Sequence, residues 1–275
     1  MTVSVDPASK GDAAPPGFAV AQWNIPSNKP LIAVDLDDVL SETNQSVANW
    51  HNDAYGTDMT LSDFYYYYYW RNPYWGTPSE TMRKVEEYYA TSRLYEASPV
   101  EGAIQGVRSL KDLGFLLVII TARQPRELEN TEKWLDKHFP GIFETVICTG
   151  MSQETLADER VLATKLSKAQ SNFGLKVCKT LGAKLMIDDS LENSLKCMRS
   201  DPPQPVLLFG DYQWNKREAN YSHIEDESSY EERVKKEGGN DFLITDVTTI
   251  PSGRWLTRVK DWTEVVQWVK DNLIT

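Results

Sequence analysis

The residues best suited to chemistry sit in LIAVDLDDVL, positions 31 to 40, where a run of apolar β-formers ends in Asp35, Asp37 and Asp38. Carboxylates packed this closely repel one another, and at the end of a buried strand they also lose solvation. Such a group calls for positive charge opposite it. Further points along the chain carry residues of a matching kind. The run FLLVII from Phe115 leads into Thr121, Ala122 and Arg123, and the run KLMI from Lys184 ends in Asp188 and Asp189. Lys168, Lys176 and Lys179 all precede that second run. Gly174 can open a short helix with Lys176 in its first turn, which favours Lys176 as the lysine directed at the acids.

These residues meet only if the elements that carry them run in parallel. Short apolar runs recur as LIAV at 31, FLLVII at 115, TVIC at 145, KLMI at 184 and PVLLF at 205. They are too short for helices and rich in β-branched residues, so they read as strands buried on both faces. Between them, VEGAIQGVRSLKDLG and PRELENTEKWLDKHF have the spacing of amphipathic helices. Strands alternating with helices imply an α/β three-layer sandwich with a mainly parallel sheet, in which ligands bind beyond the carboxyl ends of the strands. Asp35 and Asp37 fall at such an end.

Two segments break the alternation. Residues 44–98 are helix-leaning and aromatic, contain FYYYYYWRNPYWG, and read as an insertion after the first strand. Residues 211–246 are mostly polar and read as a long surface excursion ahead of a closing helix, VKDWTEVVQWVKDNL. Residues 1–30 read as a loosely ordered tail. The core is then 31–43 together with 99–275.

Composition narrows the class of protein. The chain has 275 residues and 41% hydrophobic content, enough for a sizeable core with an insertion. Its formal charge of -11 argues against a nucleic-acid polymer as partner, because such binding rests on neutralising phosphates. The three cysteines, Cys148, Cys178 and Cys197, are far apart and suggest reduced, mostly buried thiols rather than a disulfide framework or a zinc site. His51, His138 and His223 are equally scattered. The first thirty residues hold no apolar signal core, and no later run approaches the roughly 18 to 20 apolar residues that span a bilayer. The expected address is the cytoplasm, with no membrane partner.

DLDDVL, the hydrophobic run ending in TAR, the lysine before a strand and IDDS together resemble the four linked motifs of the haloacid dehalogenase-like (HAD) phosphohydrolases. The resemblance covers about Leu31 to Gly210. The insert position, the short spacing from lysine to IDD and the terminal tryptophan-bearing helix look most like the 5'(3')-deoxyribonucleotidase type. The resemblance implies a Rossmann-like sheet with a small, mostly helical cap at 44–98, and a phosphatase acting on a small phosphorylated metabolite.

Phosphoryl transfer needs an in-line nucleophile, a proton donor for the leaving group and positive charge around the moving oxygens. By resemblance, Asp35 is the nucleophile that forms an aspartyl-phosphate, and magnesium (Mg2+) is held by Asp35, the main-chain carbonyl of Asp37 and Asp188, with Asp189 a ligand or a support. Asp37 would protonate the leaving oxygen and then activate water. Thr121 and Ala122 would meet the phosphoryl group, Lys176 would neutralise it, and Arg123 is split between substrate contact and a surface salt bridge. Asp38 reads as a helix-starting or solvated acid. In the insert, Tyr67 and Trp70 are candidates to stack on a planar leaving group such as a nucleobase, against the alternative that the aromatic run only packs the cap onto the core. A nucleoside monophosphate is the first substrate expected. A sugar, polyol or phosphotyrosine ester is the rival, and a catalytically weak HAD-fold binding scaffold is the reading from another class.

Overall fold

The computed structural model describes residue 25 and residues 28–150, 174–218, 228–250 and 253–274. The first strand, β1 (Leu31–Val34), is followed by α1 (Thr43–Tyr55), α2 (Pro78–Tyr89) and α3 (Ala103–Asp112). β2 (Leu116–Thr121), α4 (Leu128–His138) and β3 (Val146–Cys148) come next. A helix over 174–181, here α5, leads into β4 (Leu185–Asp188), α6 (Leu191–Arg199) and β5 (Val206–Phe209). α7 (Tyr230–Glu237), α8 (Phe242–Thr245), β6 (Leu256–Val259) and α9 (Trp262–Leu273) close the chain.

The strands form one six-stranded sheet in the order β3-β2-β1-β4-β5-β6, with every pairing parallel. β1, β2, β4 and β5 are buried along their whole length, as runs without polar alternation should be. Side chains alternate between the two faces. Ile32, Val34, Leu117, Ile119 and Ile187 pack with α3, α4 and α9, whereas Ala33, Val118, Ile120, Met186 and Leu208 pack with α5 and α6. The result is the expected three-layer α/β sandwich. The five strands read from the sequence are present at their places. β6 was not among them, since LTRV holds two half-exposed residues and no continuous apolar run.

Register brings the functional strand ends level. Val34 pairs with Ile187 of β4 and with Ile119 of β2, so Asp35 emerges beside Asp188 and close to Thr121. The closing helix also serves this edge. Gly106 of α3 leaves room for the Trp262 ring, which a Cβ would meet at 2.5 Å, and the Trp262 indole N–H donates to the Val39 carbonyl at 3.0 Å. α9 thereby holds the loop that follows β1.

Between β1 and α3, the described structure contains α1, α2 and short 3-10 turns. α2 starts where its sequence directs: Thr77 and Glu80 form a reciprocal capping box, with Pro78 at the first helical position. The aromatic run differs from a helix. Phe64, Tyr66, Tyr68 and Trp70 are buried while Tyr65, Tyr67 and Tyr69 between them are half-buried, a period of two. The buried Asn72 side chain supports this irregular path by accepting from the Tyr66 N–H and donating to the carbonyls of Tyr66 and Tyr68. Tyrosine and tryptophan favour extended over helical backbone, and an asparagine that satisfies buried peptide groups removes the need for helical hydrogen bonds.

Candidate active site

Asp35 follows β1 with its N–H donating to the Ile187 carbonyl of β4 at 2.8 Å, so the ladder carries the chain one residue beyond the strand. The turn then tightens: Leu40 and Ser41 N–H groups both donate to the Leu36 carbonyl, and Asp38 takes a left-handed φ of 57°. Aspartate tolerates that conformation better than a branched residue. Asp38 is neither solvated nor catalytic in its contacts. Its buried carboxylate accepts the Asn44 N–H at 3.0 Å at the start of α1, and its carbonyl accepts the Tyr212 hydroxyl at 2.9 Å.

Asp35, Asp188 and Asp189 converge, with one carboxylate oxygen from each lying within 4.8 Å of the others. Asp188 is held by the Ser190 N–H at 2.8 Å and the Asn193 side-chain amide at 3.1 Å, a turn that also caps α6 through Ser190. Asp189 accepts the Trp214 indole N–H at 2.6 Å. Among the described residues, no ion pair reaches these three acids. Burial, followed by the charges of Asp188, Asp189 and Asp37, pushes the Asp35 carboxyl well above the ordinary range. Burial also raises Asp188 to about 6, although its two hydrogen bonds pull the other way, and burial together with Asp38 and Asp188 raises Asp189. Three hard oxygen donors that destabilise one another when charged are the donor set a divalent cation fits.

This crowding has a signature in cation-free buffer. Carboxyls with raised folded values contribute stability that is complete below the ordinary carboxylate range, about pH 4, and lost as pH rises through the folded values. The window therefore runs from about 4 to beyond about 6, the value for Asp188. In chelator, the melting temperature of wild type relative to Asp188→Asn is expected to fall across that window. A flat difference would show that the three acids are not electrostatically crowded.

Asp37 points elsewhere. Its carboxylate receives the Arg123 Nη2 at 2.6 Å and Nε at 3.2 Å, the Thr43 hydroxyl at 2.5 Å and, more weakly, the Thr121 hydroxyl at 3.4 Å. Arg123, split in expectation between substrate contact and a surface salt bridge, does form a salt bridge, with Asp37, but its side chain is 1% exposed rather than at the surface. The loop carrying it is pinned by the end of β3. Thr149 donates twice to the Thr121 carbonyl, Gly150 N–H donates to the Arg123 carbonyl at 3.0 Å, and a Cβ on Gly150 would lie 2.4 Å from the Ala122 oxygen.

A cavity of about 300 Å³ opens over the acids. Asp35, Asp37 and Arg123 line its floor, and Tyr67, Trp70 and Tyr89 from the insert line its walls. Burial and the nearby charges of Asp189, Asp188 and Asp35 push the pKa of the Tyr67 hydroxyl well above its ordinary value. Tyr67 also borders a smaller cavity of about 40 Å³ with Asp35, Thr121, Ala122 and Asp188. Other rings in the run have packing roles. Phe64 contacts Trp214, Tyr69 stacks on Trp75 at 4.3 Å, and Tyr66 donates to Asp246 at 2.7 Å.

The structure thus gathers Asp35, Asp37, Thr121, Ala122, Arg123, Asp188, Asp189, Tyr67 and Trp70 at one edge. Lys176 is exposed on α5; its neighbours Gly174 and Leu175, rather than Lys176, border the smaller cavity. Lys179 donates to the Asp201 carbonyl at 3.0 Å, and Lys168 lies outside the described residues. Sequence reasoning missed Trp214, Tyr212, Thr43 and Asn193. Trp214 and Tyr212 belong to the segment read as a polar surface excursion, yet their rings stack at 4.2 Å and 8° beneath the acids, with Trp214 1% exposed. The signal available was the pair of aromatics in DYQW directly after β5, inside an otherwise polar stretch.

Residues 29–164 match the family model described as 5' nucleotidase, deoxy (pyrimidine), cytosolic type C protein. A search of curated proteins gives no match. Among solved structures, a haloacid dehalogenase-like protein from Agrobacterium tumefaciens aligns at 14% identity and a TM-score of 0.50, covering 89% of this chain and 99% of that one. A candidate phosphoglycolate phosphatase from Lactobacillus delbrueckii subsp. bulgaricus aligns at 14% identity and a TM-score of 0.50, covering 88% and 98%. At that identity the likeness speaks to the fold alone. The family match, however, spans both β1 with its Asp35 and Asp37 and β2 with its Thr121, on the sheet whose edge gathers Asp188. The fold is that of haloacid dehalogenase-like proteins, and the matched stretch, just under half of the chain, is similar to the 5'-deoxynucleotidase type.

Proposed function

We propose that this phosphohydrolase is a magnesium-dependent phosphatase that cleaves small phosphate monoesters through an aspartyl-phosphate on Asp35, with nucleoside monophosphates as the first substrate class. The observation that carries the reading is the convergence of Asp35, Asp188 and Asp189 within 4.8 Å, with Asp37 two residues on and outside that cluster. Asp35, Asp188 and the Asp37 carbonyl would hold magnesium, with Asp189 a ligand or a support of one, and the ion's charge would offset that of the acids and of the phosphate.

The chain's own residues divide the work in two steps. In the first, a bond forms between an Asp35 oxygen and phosphorus as the bond from phosphorus to the ester oxygen breaks, and a proton passes from Asp37 to that departing oxygen. In the second, a water oxygen replaces the Asp35 oxygen on phosphorus while Asp37 takes the water's proton. Phosphate and the free alcohol leave, and Asp35 is regenerated. Thr121 donates to a phosphoryl oxygen, and Lys176, on the helix that borders the smaller cavity, brings positive charge toward it.

The insert acts as a cap in this reading. Tyr67 and Trp70 wall the larger cavity, where a planar leaving group can stack. The description of the matched family as a deoxynucleotide 5' nucleotidase supports the nucleotide class, and its description as cytosolic supports action in the cytoplasm. Among the described residues no helix is long and apolar enough to cross a membrane.

Phosphate release from a panel of nucleoside monophosphates, sugar and polyol phosphates, a phosphotyrosine peptide and an aryl phosphate tests the proposal, each with magnesium and with chelator. Magnesium-dependent release, fastest on a nucleotide, is expected. Magnesium binding with no release from any ester would sink the hydrolase reading, and preference for a sugar phosphate would sink the substrate class.

A further inference from the structure

The mechanism above leaves Arg123 without a task, although this side chain is as deeply buried as any in the site, at 1% exposure. A buried guanidinium persists only where its charge and donors are met. Each of its three nitrogens has a protein partner. Nη2 lies 2.6 Å from Asp37 Oδ1, Nε lies 3.2 Å from both Asp37 oxygens, and Nη1 lies 3.2 Å from the Thr131 hydroxyl. The Tyr95 ring lies alongside, 6.0 Å from the guanidinium carbon.

The geometry has two consequences. A planar fork on a planar carboxylate fixes the carboxylate's rotation as well as its place, which a lysine's single point charge does not. The Thr43 hydroxyl at 2.5 Å on Oδ1 adds to the same constraint. An arginine whose task was to bind substrate phosphate would instead present its fork to the cavity. Here the fork is closed on Asp37.

We infer that Arg123 is a positioning residue for Asp37: it holds the carboxylate in the orientation from which a proton reaches the leaving oxygen, and so sets discrimination among leaving groups rather than affinity for phosphate. The inference rests on the reading of Asp37 as the proton-transfer group. Its consequence depends on the ester. A strongly basic alkoxide needs its proton as the phosphorus–oxygen bond breaks, whereas a nitrophenolate departs without one. Misplacing Asp37 therefore penalises alkyl esters and spares activated aryl esters.

The test compares kcat/KM for benzyl phosphate with that for 4-nitrophenyl phosphate, two esters of similar size, in magnesium. kcat/KM covers only the steps through formation of the aspartyl-phosphate, so the shared second step does not enter. The enzymes are wild type, Arg123→Lys, Arg123→Gln, Asp37→Asn and the double variant Arg123→Gln with Asp37→Asn. Both esters are read on one preparation, so the ratio is independent of the fraction correctly folded, and Arg123→Lys alone carries the test if the glutamine variant does not fold. The benzyl-to-nitrophenyl ratio is expected to fall about 10-fold or more in the Arg123 variants. In the Asp37→Asn background, the Arg123 change should leave the ratio where Asp37→Asn put it. Equal losses on both esters in the Arg123 variants, with the Asp37→Asn ratio lowered, would overturn the inference and leave the acid–base reading standing. A further fall in the double variant would also overturn it, since Arg123 would then act by another route. An unchanged ratio in Asp37→Asn would remove the acid–base reading itself, and the inference with it.

Discussion

Asp35→Asn is expected to lower phosphate release by at least about 10³-fold on every substrate that wild type accepts, because an amide oxygen cannot form the aspartyl-phosphate and no neighbouring acid can take its place. Asp188 and Asp189 are each held by hydrogen bonds, from Ser190 and Asn193 and from Trp214, and Asp37 is closed on Arg123. None of them is free to swing into the in-line position. The same substitution should raise the melting temperature in chelator at neutral pH, since it removes one of three buried carboxylates that push one another's affinity for protons upward. Activity and stability thus move in opposite directions. Full turnover in this variant would end the covalent mechanism, and a loss of both activity and stability would mean that Asp35 has a structural task the geometry does not show.

Asp188→Asn is expected to have the second largest effect, and of a different kind. The side chain keeps its shape, and one oxygen can still accept the Ser190 N–H, but the second carboxylate oxygen becomes an amide facing the Asn193 amide. The charge that completes the cation site is lost. Removing even a residue that only supports a ligand costs about 10 to 100-fold in metal affinity, so loss of a ligand should raise the magnesium concentration for half-maximal activity by at least about that much. Saturating magnesium should recover part of the turnover in Asp188→Asn and none in Asp35→Asn. Titrating activity against magnesium for both variants separates a cation role from a nucleophile role. An unchanged magnesium dependence in Asp188→Asn would remove it from the cation site.

The aromatic insert shows how one composition serves two tasks. Of the run from Phe64 to Trp70, Phe64, Tyr66 and Tyr69 are engaged by Trp214, Asp246 and Trp75, while Tyr67 and Trp70 face the cavity over the acids. The two tasks do not divide by strand alternation: the packed Phe64 and Tyr66 share a parity with Trp70, and Tyr69, which packs on Trp75 and also borders the cavity, shares one with Tyr67, because the path turns into a 3-10 helix at Tyr69–Arg71.

The sequence alone determined the sheet and the strand ends. Apolar runs of strand length separated by amphipathic helices have one economical solution, a parallel sheet covered on both faces, and parallel strands send Asp35, Thr121 and Asp188 to the same edge. Local pattern suffices for that because burial and handedness act on each strand and crossover separately. Tertiary structure alone decided what those residues do to one another. That Arg123 closes on Asp37 rather than lying at the surface depends on the depth of the β2 loop, which Thr149 and Gly150 set from β3. That Asp189 is held by Trp214 depends on a segment whose polarity hid two stacked rings. β6, with two half-exposed residues, is a strand because β5 offers it an edge. In each case the deciding contact joins residues far apart in the chain, and neither partner's local sequence carries a record of the other.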